Sequence, residues 1–439
     1  MSVLRSMTWS TMDEDARRTL CARGLEAIFD TDLKASIGRI IDDVHANGDE
    51  AVCRALRDFD RVVVEPDQLK VTDDELADAE VSADVDAAID DAIAHLRAFN
   101  TQLMQRAVDW SFESEPGLSV GEKITPISSA GLFVPSGKAS YPSVAYQLGV
   151  PATVARVPEL ALVVPPMPGG GARIDPAVLV VCSKLGIDNV FRVNGPAGVA
   201  ALGFGTESIP QVRKIVGPGS PPVTCAQVEM QRYGVATMMI LGPTESLVIA
   251  DRSADPRYLA ADLLNEAEHG TDSAVVLVTT STELLADVDL ELQRQLAMLP
   301  PVRADAARAA LGVNGGCVIV ADLGEAADVA NRWAPEHLQV AVDAAAEAQL
   351  VDRLVNVGEI LVGQNTLFSA ANFVIGCPAS LPTGGFAHVS SGITADAFLK
   401  RTAVARADEH ALARMTPTIV AMSEHEGFVA HANAALIRR

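Results

Sequence analysis

The sequence predicts an α/β protein built on two Rossmann-like halves with helical segments at its ends. Three observations carry that reading. Short β-branched runs alternate with helical runs twice over, between about 131 and 251 and again from 258 to 333. Such alternation is what βαβ units and a parallel sheet require. At 439 residues the chain is longer than one hydrophobic core sustains. Apolar residues make up 49% and charged residues 21%, a balance that favours packed domains over disorder.

Taken in order, the stretch from 32 to about 105 reads as helical, with apolar residues at three-to-four spacing in Ile37, Ile40, Ile41 and Val44 and again in Ala88, Ile89, Ala92 and Ile93. After Gly121 the texture changes to strand-like runs broken by Gly and Pro, beginning with 131–136. The first alternating block then predicts strands at 160–164, 190–193 and 214–216 and helices at 175–185 and 197–204. The second predicts helices at 258–269, 283–298 and 323–333 around strands at 274–279 and 317–320. From about 394 the tail reads as helical. No Gly-x-Gly-x-x-Gly follows a strand, and the glycines of Gly195-Pro196-Ala197-Gly198 and Gly217-Pro218-Gly219 are generic turn glycines that by themselves name no cofactor.

Lys and Arg number 34 against 57 Asp and Glu, a formal charge of −23 that repels nucleic acid. The longest apolar runs, 176–182 and 273–278, fall far short of the roughly 20 residues that cross a bilayer. The first 24 residues lack an apolar signal core, so a cytoplasmic location is expected. Six cysteines without a Cys-x-x-Cys pair argue against a zinc ribbon or a disulfide framework. Any metal would then use His with carboxylate or amide ligands.

Four segments carry chemistry. In Glu266-Ala267-Glu268-His269-Gly270 the i, i+3 spacing puts Glu266 and His269 on one helical face, where they can supply two adjacent metal ligands, and Gly270 marks the helix stop. In Trp333-Ala334-Pro335-Glu336-His337-Leu338 the proline closes a helix and restricts Ala334, which leaves Glu336 and His337 on a stiff loop or strand start. A near-neutral His can take an alcohol proton, and the adjacent carboxylate can activate water. Ser369-Ala370-Ala371-Asn372-Phe373 opens a long turn-rich loop that runs through Gly376-Cys377-Pro378 to Leu381-Pro382-Thr383-Gly384-Gly385. Near the carboxyl terminus, Glu426 and His431 stand five positions apart. Each segment in isolation also fits a solvated surface pair.

Together and in this order the segments resemble the histidinol dehydrogenase family. The resemblance extends through Gly131-Leu132-Phe133-Val134-Pro135, Ala201-Leu202-Gly203-Phe204-Gly205-Thr206, Lys214-Ile215-Val216-Gly217-Pro218-Gly219, Leu247-Val248-Ile249-Ala250-Asp251, Phe398-Leu399-Lys400-Arg401-Thr402 and Ala430-His431-Ala432-Asn433-Ala434. It implies an intertwined homodimer of two incomplete Rossmann-like domains, with each active site completed by the partner's carboxyl-terminal segment. The corresponding division is 1–24, 25–132 with 250–393, 133–249 and 394–439.

The resemblance further implies one zinc and two successive NAD reductions, which take a primary alcohol through a bound aldehyde to a carboxylate. By position, His269 and His431 would be zinc ligands, joined by Glu266 and Asn372 where the family usually has Gln and Asp. That exchange leaves the summed ligand charge unchanged. His337 would be the general base and Glu336 the activator of water. Thr244, Glu245, Ala379 and Glu426 fall on the substrate side, with Ala379 replacing a family His and Thr244 a family Ser. Phe133, Pro135, Ala197 and Ser220 fall on the NAD side, where Tyr, Gln and Asn are usual at 133, 197 and 220. The implied substrate is histidinol or a related amino alcohol or diol. A paralogue acting on a sulfonated diol, a zinc hydrolase and a silent scaffold stay open at this point.

Overall fold

Two all-parallel sheets and one small antiparallel sheet organise the computed structural model, which describes residues 2–23, 30–135, 140–167, 169, 171–238 and 242–438. The larger sheet has six strands, ordered Ser6–Thr8, Gly316–Ile319, Ala274–Thr279, Glu245–Ala250, His337–Ala341 and Glu359–Val362. Three of its inner strands, Ala274–Thr279, Glu245–Ala250 and His337–Ala341, are buried along their whole length, as strands covered by helices on both faces must be. Five strands form the second sheet, with Ser129–Phe133 at its centre. The chain steps outward from it to Glu159–Val164 and Val190–Arg192, then returns to Lys214–Val216 and Ala236–Thr237 on the other side. That reversal is a topological switch point, the place where open α/β sheets bind ligands.

Packing redraws the expected division of the chain. Helices Thr31–Ala55 and Ala83–Met104 lie on the five-stranded sheet, the first against Gly195–Phe204 and Pro221–Met230, the second against Pro142–Val154. The stripe Ile37, Ile41 and Val44 therefore shares a core with Val199 and Leu202, not with the larger sheet as 25–132 with 250–393 implied. An apolar stripe must be covered, but its spacing does not say by which sheet. In the opposite sense Glu245–Ala250, expected within 133–249, lies at the centre of the six-stranded sheet. The first 24 residues supply its edge strand Ser6–Thr8 besides the helix Glu14–Cys21.

The tail departs from a helical reading too. Leu399–Ala407 is a strand paired antiparallel with Leu118–Pro126, which forms a hairpin with Trp110–Glu115. Helices Glu409–His425 and Val429–Leu436 follow it. The hairpin turns at Pro116-Gly117, where Gly117 has φ 79° and an added Cβ would meet the Asp408 carboxylate at 2.3 Å. The run expected at 131–136 is the strand Ser129–Phe133, and Ser136 lies outside the described residues. Among the described residues no helix is long and apolar enough to cross a membrane.

Candidate active site

A cleft of about 540 Å³ opens between the two parallel sheets. The five-stranded sheet meets it with the carboxyl ends of Ser129–Phe133 and Lys214–Val216, which deliver Pro135 and the turn Pro218-Gly219-Ser220. The six-stranded sheet meets it with the amino ends of its strands, at Thr244, Ser273 and Glu336-His337. Helix Pro256–Ala267 leaves the far end of Glu245–Ala250 and returns to the same amino edge, bringing Glu266 and His269. It stops at Ala267, three residues before Gly270. Asn372 completes this wall from a short helix, Phe368–Phe373, where a loop was expected.

At the centre Glu336 and His337 stand side by side, Glu336 just before the strand that His337 opens, and both line the cleft. Helix Leu323–Trp333 ends on Ala334, which is buried and left-handed at φ 52° rather than extended as the following proline favours. An alanine in that region costs about 1–2 kcal/mol, held here by packing. Parallel register sets His337 beside Glu359 of the edge strand, and Nδ1 lies 2.5 Å from Glu359 Oε1. The Nε2 atom is 3.6 Å from Glu336 Oε1. The other Glu336 oxygen accepts the backbone N–H of Glu245 at 3.0 Å.

Burial dominates the electrostatics. It pushes the Glu336 carboxyl up to about 8, against the opposing charge of His337. Burial by itself would strip the proton from His337, yet Glu336, Glu359 and Glu266 outweigh it and raise the imidazole to about 10. Behind Glu336, burial lifts Glu245 to about 7, opposed by Arg23 and by the N–H of Gly384, which donates to Oε1 at 2.8 Å.

Glu266 is fully buried; its Oε1 accepts the Asn372 amide at 3.0 Å, while among the described residues Oε2 has no hydrogen-bond partner. His269 Nε2 stands 3.9 Å from that orphaned oxygen. Two donors on one zinc at roughly 2.0–2.1 Å each can be at most about 4.2 Å apart, so the pair fits a shared ion. Asn372 could offer its oxygen by turning its amide. His431 and Glu426 do not join them within one chain. They line a separate groove with Met422, Phe428 and Ala434, and among the described residues no three His, Cys, Asp or Glu gather at metal-binding distance.

On the opposite wall two helices point their amino ends at the cleft, Pro142–Val154 behind Tyr141 and Pro221–Met230 behind Ser220, neither closed by a side-chain cap. The dipole at each of these helix ends suits the pyrophosphate of a dinucleotide, although Pro142, Pro221 and Pro222 contribute no N–H. Phe133 and Ala197 are buried in the core beneath this wall instead of lining it, because a central strand and a helix covered by Thr31–Ala55 leave them no exposed side. Pro135 and Ser220 do line it, and Thr244 and Ala379 line the same cleft.

The sequence model of histidinol dehydrogenase matches residues 26–439. The chain belongs to the histidinol dehydrogenase family. It is 39% identical over 402 residues to the histidinol dehydrogenase of Geobacter sulfurreducens, covering 91% of each chain. Against the Synechocystis enzyme of the same name the identity is 37% over 398 residues, with 90% of each covered. A solved histidinol dehydrogenase from Elizabethkingia anophelis superposes with a TM-score of 0.93 at 30% identity, over 100% of this chain and 98% of that one. Members of the histidinol dehydrogenase family are NAD-dependent alcohol dehydrogenases, and this chain is an enzyme of that kind.

In this member of the family several residues at the site were not legible beforehand. Arg23 places its guanidinium over the Trp333 ring, 4.3 Å from the centroid, with Nη1 3.1 Å from Glu245 Oε2. Nothing in the first 24 residues signals that insertion. Gln147 accepts the N–H of Ala379 at 3.1 Å, and Thr383 accepts that of Gly242 at 2.5 Å. Glu359 had one faint signal, a lone carboxylate opening the apolar run Ile360-Leu361-Val362 directly after a glycine.

Proposed function

We propose that this enzyme oxidises a primary amino alcohol in two NAD-linked steps, through an aldehyde retained in the cleft, to the carboxylate. The observation that carries the reading is the buried Glu336-His337 pair facing the cleft, with Nδ1 of His337 engaged by Glu359 and Nε2 left on the side of Glu336. When bound, NAD accepts the hydride of each step and zinc, held by Glu266, His269, Asn372 and His431 from a second copy of the chain, lends Lewis-acid polarisation of the substrate oxygen.

The chain's own groups account for the proton movements. Once the coupled Glu336–His337 pair has shed its protons at alkaline pH, His337 Nε2 takes the hydroxyl proton as the carbinol C–H bond breaks, and the C–O bond becomes the carbonyl. Glu336 then takes a proton from water as its oxygen adds to the aldehyde. The carbonyl oxygen takes back the proton that His337 gained, which completes the hydrate, and His337 Nε2 then accepts a hydroxyl proton again as the second hydride leaves for a second NAD and the acid forms. Two NADH form per substrate, with the carboxylate oxygen drawn from water. Enclosure of the aldehyde between the sheets keeps it from solvent.

Glu266, Asp272 and Glu336 line the cleft, and among its described lining residues there is no Lys or Arg. His337, its imidazole raised by its carboxylate neighbours, balances Glu336, so the preference for an amino alcohol over a sulfonated diol rests on the family match. Ala379 offers no side-chain donor or acceptor, so an imidazole ring would not be gripped at that position. The wider assembly is part of the same proposal: two Rossmann-like units per chain, in a cytoplasmic homodimer whose partner supplies Glu426 and His431. Purified protein offered L-histidinol, simpler amino alcohols and a sulfonated diol with NAD and zinc tests the reading. Two NADH per amino alcohol supports it; a yield of one, or turnover of the sulfonated diol alone, contradicts it.

A further inference from the structure

We infer that Glu359 is a positioning residue for the general base, fixing one tautomer of His337 and stabilising the imidazolium that forms during hydride loss. The inference rests on His337 as base and adds a group to which no role has been given.

Backbone geometry places the carboxylate. The Gly358 N–H donates to Pro335 O at 3.0 Å and the Glu359 N–H donates to Glu336 O at 3.1 Å, which locks the edge strand to the strand bearing the base. The approach is so close that a Cβ on Gly358 would lie 2.4 Å from Glu336 O. In-register neighbours of a parallel pair project on one face, so Glu359 and His337 must meet.

The carboxylate has no other evident purpose there. Its side chain is 7% exposed, and among the described residues it ion-pairs with no Lys or Arg and its buried Oε2 has no hydrogen-bond partner. A buried charge demands a compensating one. His337 Nδ1 meets that demand as a donor to Oε1, and the lone pair is thereby directed to Nε2, the nitrogen nearer Glu336 and the cleft. Such a partner fixes ring orientation as well as tautomer. The groups facing His337 are Glu336 beside it, Glu359 from the neighbouring strand, Glu266 from helix Pro256–Ala267 and the Phe368 ring edge. Cys377 is the further titratable group near Glu359, its thiol pushed up by burial and by that carboxylate.

Imidazole 15N resonances of histidine-labelled protein test this without any substrate, with H337N identifying the signal. In the wild type Nδ1 should stay protonated while Nε2 alone titrates. In Glu359→Gln the midpoint should fall by about one pH unit or more, and Glu359→Asp, which keeps the charge, should recover most of the fall. Turnover of L-histidinol should drop about 10²-fold or more in E359Q with KM nearly unchanged, and the E359Q/H337N double variant should be no slower than H337N. An unmoved midpoint in E359Q, or a further loss in the double variant, overturns the inference. An H337N protein that keeps wild-type turnover instead overturns the base assignment, while the resonances still report on the Glu359 contact.

Discussion

Arg23 Nη1 lies 3.1 Å from Glu245 Oε2 beneath the cleft, and the backbone N–H of that same Glu245 holds Glu336 Oε2. A segment from the beginning of the chain thus braces the carboxylate assigned to water activation. Both side chains of the pair are nearly sealed from solvent, at 5% and 2% exposure. Removing one partner leaves an uncompensated buried charge, whereas removing both does not. Arg23→Met should lower stability by about 3 kcal/mol, and the R23M/E245M double variant should recover much of it. Urea denaturation of the four proteins checks this; additive losses would show that the two groups are not coupled.

The same pair sets a pH dependence. Burial raises Glu245 from about 4.5 to about 7, so the folded state binds its proton more tightly than the unfolded chain does. By linkage its contribution is fully present below pH 4.5 and is lost as pH rises through 7. Between pH 5 and 8 the wild type should therefore lose more stability than Glu245→Gln. Equal slopes in denaturant midpoint against pH would contradict the assignment.

Metal retention is expected to depend on the Glu266-His269 edge, where a fully buried oxygen lacks any hydrogen-bond partner among the described residues. His269→Ala should leave the fold intact and reduce zinc bound per chain, as read by atomic absorption, with chelator abolishing turnover in the wild type. Stoichiometric zinc in H269A would remove that residue from the ligand set.

Substrate choice should respond at Ala379, which lines the cleft beside Gln147. Restoring a ring donor with Ala379→His should raise kcat/KM for L-histidinol by about tenfold, the worth of one new hydrogen bond to a substrate. No change would place imidazole recognition elsewhere.

Locally encoded elements were read with little error. Helix Leu323–Trp333 begins at the Asp322 cap and stops before Pro335, and both signals stand in the sequence. Strand Ala274–Thr279 is a short apolar run whose ends match its buried length. What escaped depended on distant partners. Leu399–Ala407 is a strand because Leu118–Pro126 pairs with it, and its own residues carry little apolar patterning. At the site, Glu336, His337, Glu266, His269 and Asn372 were legible as chemistry, and the cleft gathers them. The exchange of contacts behind them was not: Arg23 and Glu359 reach the site only through a stacked tryptophan and a strand register, which no spacing reveals. Phe133 and Ala197 illustrate the converse, since motif position could not say that both would be buried in the core of the five-stranded sheet.

The division of labour between His337 and Glu336 is tested most directly by counting NADH formed per L-histidinol consumed in Glu336→Gln, which keeps the shape of the side chain but cannot accept a proton from water. With the base intact, the first oxidation should proceed and the second should stall, giving one NADH and an aldehyde that a hydrazine reagent traps. Two NADH at the wild-type rate would contradict the role assigned to Glu336 and with it the two-step account.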